Sequence, residues 1–144
     1  MEISTPFLLT LATSCFSVGL AYLNYKAIKQ ELVGVIWHTV QFIALFILGF
    51  IQLSLFMDET LEIRILTLLL MASTHWMVFD TALNKFRGLD ALYVGYTAFI
   101  DRSWRYLCEE VFGLSEANLR TLFMVLKIWL YFGLLFSVHY FLDV

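Results

Sequence analysis

The stretch Glu62–Gly88, EIRILTLLLMASTHWMVFDTALNKFRG, decides the fold. Its first half is a run of Leu, Ile and Met with nothing ionisable after Arg64; its second half carries His75, Asp80 and Asn84 before closing on Lys85, Arg87 and Gly88. About 20 apolar residues at 1.5 Å each cross a ~30 Å hydrocarbon core. The stretch therefore reads as a membrane-spanning helix over about 63–85. A carboxylate inside a span costs several kcal/mol unless it is paired, hydrated or protonated. Asp80 is the residue that most needs a partner.

Composition supports a membrane protein throughout. The 144 residues are 61% hydrophobic and 15% charged, against about 45–50% and 25% in soluble domains. A net charge of −3 and the lack of a basic run argue against a nucleic-acid partner. Cys15 and Cys108 fall in different environments and form no CxxC spacing, so neither a disulfide framework nor a metal site is expected. Glu2 in place of a basic leader argues against a cleaved signal peptide.

Outward from the deciding stretch, three further spans follow, at about 6–25, 32–57 and 119–142. The first has Ser4 or Thr5 as cap and Pro6 in its first turn, where proline costs no hydrogen bond. Ala12, Cys15 and Gly19 lie on one face as a small-residue stripe that suits close helix packing, inside the bundle or against another copy. In the second span His38, Gln41, Leu45, Gly49 and Gln52 follow helical 3–4 spacing. Such a stripe must face protein or water. Gly88 is a helix stop, and a turn near Tyr93, Gly95 and Tyr96 leads to an amphipathic helix over about 97–112 that Gly113 ends. Ile100, Trp104, Leu107, Cys108 and Val111 share one side of it, and Asp101, Arg102, Arg105, Glu109 and Glu110 the other. Trp and Arg at its middle place it in the membrane interface. Ser115 then caps the last span, with Glu116 in its first turn.

The expected fold is thus a single all-α integral membrane domain, four antiparallel transmembrane helices plus one amphipathic interfacial helix. Lys26, Lys29, Lys85, Arg87, Arg102, Arg105 and Arg120 lie on one side and Arg64 alone on the other. By the positive-inside rule both termini face away from the cytoplasm, in what reads as a bacterial inner membrane.

Three histidines on three spans invite a metal reading, but His139 lies near the face opposite His38 and His75, and two ligands make a poor site. No metal and no cofactor are expected. His75 and Asp80 point about 140° apart at 100° per residue and form no dyad. Asp80 shares its face with Ser73, Asn84 and Arg87. Lys127 on the last span lies at matching depth, either paired with Asp80 or snorkelling to the headgroups. No phosphate loop, HExxH, GxSxG or convergent nucleophile supports an enzyme, a lipid-modifying one included.

Phe79-Asp80, Leu83-Asn84, Arg87-Gly88, Tyr93-Val94-Gly95, Thr97-Ala98 and Asp101-Arg102 together resemble small, uncharacterised multi-pass membrane proteins of Bacteroidota phages and prophages. The likeness covers about 25 residues and implies a phage-linked membrane role, with no assigned chemistry. The function expected is non-enzymatic: a lipid-embedded protein acting by self-association as a homo-oligomer, holin-like in forming pores. The alternative is an accessory or transporter-type subunit that uses Asp80 and Lys127 as an intramembrane relay.

Overall fold

The computed structural model describes residues 5–30, 35–95 and 99–142, with the backbone alone at 35–38 and 99–100. The Ser4 cap, the Tyr96 turn, the Thr97–Ala98 helix start and the side chain of His38 lie outside the described residues. Every regular element described is helical: α1 (Thr5–Lys29), α2 (Val35–Ser54), α3 (Leu61–Phe86), α4 (Phe99–Arg105), a π-helical continuation (Tyr106–Val111), and α5 (Glu116–Leu142).

The boundaries follow from local chemistry. Pro6 sits in the first turn of α1, and Lys26 and Lys29 in the last, where a cation meets the negative helix end. Thr60 caps α3 through its side chain, which accepts from Ile63 N–H, with Glu62 in the first turn. At the other end Gly88 takes φ 73°. Leu89 N–H then reaches Asn84 O at 2.9 Å and Gly88 N–H reaches Lys85 O at 3.0 Å, a Schellman closure that needs a residue without a Cβ penalty. Gly113, φ 63°, ends the π-helical segment in the same left-handed region.

Three helices, α1, α3 and α5, are long and apolar enough to cross a membrane. Helix α2 is a shorter apolar helix over Thr39–Ser54. It stops three residues before the expected Met57, because Leu55 and Phe56 turn back with i→i−3 bonds to Gln52 O and Leu53 O. That turn carries Phe56 into a buried cluster with Leu9 and Ile63. Arg64 then staples it by donating to Glu59 O at 3.0 Å and to Met57 O.

Packing is inside-out relative to a soluble protein. Helix α1 packs chiefly on α3, and α3 in turn on α5, while α2 rests more lightly on both. The α1–α3 seam buries Thr10, Thr13 and Ser17 against Thr67, Ser73 and Thr74, the small hydroxyl residues that let backbones approach in lipid. Large apolar side chains point outward: Phe42, Phe46 and Phe50 on α2, Trp129 and Phe136 on α5. No hydrophobic effect drives them inward where the solvent is hydrocarbon.

The expected small-residue stripe is corrected as an internal packing face. Ala12, Cys15 and Gly19 are all exposed, and a Cβ added at Gly19 meets nothing within 4 Å. Helix α1 instead buries Thr13, Ser17 and Ala21, where Ser17 meets His75 of α3, Thr13 meets Gln52 of α2, and Ala21 brings small volume alone. The α2 stripe does face protein: Gly49 and Gln52 are buried, Gln41 and Leu45 half-buried.

Candidate functional site

The charged and polar groups concentrate where α3 and α5 meet below the α4 segment. Asp80 comes from the second half of α3 and Lys127 from the first half of the antiparallel α5, which brings them to one depth. Lys127 Nζ donates to Asp80 Oδ2 at 2.6 Å. The ammonium is almost fully buried, whereas the Asp80 side chain stays 33% exposed. Trp76 and Phe123 cover Lys127, with ring centroids 4.8 and 4.5 Å from Nζ, so cation–π attraction adds to the pairing. Lys127 therefore does not snorkel. Local partners for Asp80 are not what hold it either. Ser73 donates back to Leu70 O, and Asn84 spends its amide on Tyr93 O at 2.8 Å and Ala91 O at 3.4 Å. The pair lines a narrow cleft, with room for about one water, together with Thr81, Asn84, Tyr93 and Arg120.

Beside it sits an arginine hub that sequence reasoning misplaced. Arg105 was expected on the outward polar face of the amphipathic helix; it is 4% exposed. Its guanidinium donates to Val94 O at 2.7 Å and Gly95 O at 3.1 Å. It also grips Glu116 with two parallel bonds of 2.6 and 2.7 Å and Glu109 with one of 2.7 Å. Fork-to-fork pairing of this kind is the strong form of the ion pair. One side chain thereby ties residues 94–95 of the connection, the π-helical segment and the start of α5 together.

The inward side keeps ordinary helical spacing but is centred elsewhere: Asp101, Trp104, Arg105, Cys108 and Glu109 are buried or half-buried, while Tyr106, Leu107 and Val111 are exposed. The partners of Arg105, two backbone carbonyls and two carboxylates, set that side rather than the apolar side chains. Trp104 is half-buried on Phe123, centroids 5.3 Å apart, and its indole N–H donates to Leu119 O at 3.4 Å. Arg102 stays exposed. Asp101 accepts from Gly95 N–H at 3.0 Å. Burial pushes its carboxyl above the ordinary range, and the negative charge of Asp80 pushes the same way.

A second polar system lies at the α1–α2–α3 junction. Ser17 Oγ is 2.9 Å from His75 Nδ1, and Gln52 donates to Thr13 Oγ1 at 2.9 Å. Gln41 and His75 line one cleft. Sequence spacing put Gln41 and Gln52 on one inward stripe but gave no sign that Thr13 and Ser17 of α1 would partner Gln52 and His75. Among the described residues no three His, Cys, Asp or Glu side chains converge as a metal site.

No family model, no curated protein and no solved structure matches this chain.

Proposed function

We propose that this is a non-enzymatic multi-pass protein of the bacterial cytoplasmic membrane that works by associating with copies of itself, as a holin-like pore former with the phage-linked role its motif implies. In this reading the shorter α2 crosses along with α1, α3 and α5, since its 20 residues span about 30 Å at 1.5 Å each. The α4 and π-helical segment lies along the cytoplasmic interface, with Tyr106, Leu107 and Val111 toward lipid, and both termini are non-cytoplasmic.

The observation that carries this reading is the outward stripe of Ala12, Cys15 and Gly19, open at Gly19 to the close approach of another helix. Small residues on a lipid-facing surface sacrifice dispersion contact with acyl chains unless a second helix covers them. Cys15 makes the test direct, because the only other cysteine, Cys108, is buried. Mild oxidation of native membranes is expected to give a disulfide-linked dimer that Cys15→Ser abolishes, and expression is expected to depolarise the host. A chain that stays monomeric under oxidation while Cys15 reacts freely with a lipid-soluble maleimide overturns the reading.

A second reading, the accessory or transporter-type subunit, draws support from Asp80, whose carboxylate remains one-third exposed on its cleft although Lys127 is sealed. Such a subunit is silent when expressed alone.

A further inference from the structure

The cleft bounded by Leu20, Gln41, Phe42, Leu45, His75 and Phe79, about 120 Å³, is used by neither reading above. We propose that it binds the head of a lipid-soluble quinol, a neutral hydroxylated ring that enters sideways from the bilayer.

The chemistry starts at Ser17. Its hydroxyl has one proton, and that proton goes to Thr13 O at 2.6 Å. Ser17 Oγ can then accept from His75 Nδ1, 2.9 Å away, and the tautomer with its proton on Nδ1 serves that contact. With the proton on Nδ1, a neutral imidazole carries its lone pair on Nε2. The cleft thus holds a fixed acceptor on His75, and it holds an amide on Gln41 that both donates and accepts. The other four lining residues are apolar, two of them phenyl rings, and the His75 and Phe79 rings lie 5.1 Å apart. No charged side chain lines the cleft.

Depth narrows the occupant. His75 sits near the middle of α3, about 15–20 Å from either end at 1.5 Å per residue. A phospholipid headgroup cannot reach that level without taking its charge into hydrocarbon. An acyl chain reaches it but leaves the half-buried imidazole nitrogen and amide without a hydrogen-bond partner from the occupant. A quinol satisfies both: one hydroxyl donates to Nε2, the other oxygen meets Gln41, and the ring lies against phenylalanine. Phe42 at the rim is 73% exposed, which leaves the entrance on the lipid side.

The acceptor character of Nε2 gives the inference a direction. A quinol can donate to it; the corresponding quinone, which has only carbonyls, cannot. The test is retention of tritiated decylubiquinol and decylubiquinone by the full chain in nanodiscs, read against empty discs. Saturable binding of about one quinol per chain is expected, with the quinone roughly fivefold weaker, the equivalent of about one hydrogen bond. Gln41→Leu and His75→Phe should each weaken the quinol at least fivefold. Ser17→Ala frees the tautomer, so it should keep binding but lose the preference for quinol over quinone, an effect that general loosening of the bundle does not produce. Retention no greater than in empty discs, a quinone bound as tightly as the quinol, or binding indifferent to both cleft substitutions would overturn the proposal.

Discussion

Lys127 on α5 and Asp80 on α3 meet at 2.6 Å with the ammonium under two aromatic rings. The pair is unequal: the cation has surrendered its hydration and the carboxylate has kept part of it. Removing Asp80 thus leaves a buried ammonium alone, while removing Lys127 leaves a carboxylate that can still be hydrated from the cleft.

That inequality sets the first prediction. Lys127→Met should cost less than Asp80→Asn, the latter about 3 kcal/mol, at the low end for a broken buried pair because Asp80 is partly exposed. The double variant should recover much of the loss. Thermal unfolding of the four proteins in detergent measures the coupling, and strictly additive losses would mean that the pair holds nothing together.

Arg105 leads to the second. Arg105→Lys preserves charge but cannot grip Glu116 with two bonds while also serving Val94 O and Gly95 O. We expect a loss of about 2 kcal/mol or more, accompanied by faster amide exchange in residues 90–95 and 106–111. Exchange unchanged in those segments would show that the hub does not order them.

The third prediction concerns pH. Because burial and the Asp80 charge raise the Asp101 carboxyl above its usual 3.8, the folded state binds that proton more tightly than the unfolded state does. Its stabilising contribution is complete below pH 3.8 and is lost as pH rises through the raised value. Asp101→Asn keeps an oxygen for Gly95 N–H and removes the titration. Its stability relative to the parent should therefore increase from pH 4 toward 7, as read by denaturation at stepped pH. A relative stability that falls over this window contradicts the assignment.

Much of this was legible in the residues. The Ser115 cap, the Gly88 stop and the matching depths of Asp80 and Lys127 follow from spacing, because helices in lipid must satisfy their own backbones and their buried charges. The faces of α1 were not. Ala12, Cys15 and Gly19 and the chosen set of Thr13, Ser17 and Ala21 are both small, and only the reach of Ser17 to His75 and of Thr13 to Gln52 separates them. Arg105 was hidden for another reason. A uniform 100° step puts Asp101, Trp104, Arg105, Cys108 and Glu109 on one side, but only two of those five are apolar, so hydrophobicity marks the neighbouring side instead. The i,i+4 spacing of Arg105 with Glu109, and of Glu116 with Arg120, was the available signal for that network.

Two glycines separate what holds the monomer from what joins copies of it. Gly88 stands at φ 73° at the end of α3, so Gly88→Ala should cost about 1 kcal/mol through backbone strain alone, although a methyl there meets nothing within 4 Å. Gly19 lies inside α1 with ordinary helical geometry and equally open space. Gly19→Ile should leave the unfolding of the isolated chain nearly unchanged, because no neighbour within the monomer is displaced. In membranes the same bulk blocks the close approach that the proposed contact requires, so oxidation through Cys15 one turn away should yield several-fold less dimer. Gly88→Ala should show the reverse pattern, with lower stability and undiminished cross-linking. The result that counts against self-association through α1 is a Gly19→Ile protein that cross-links as readily as its parent.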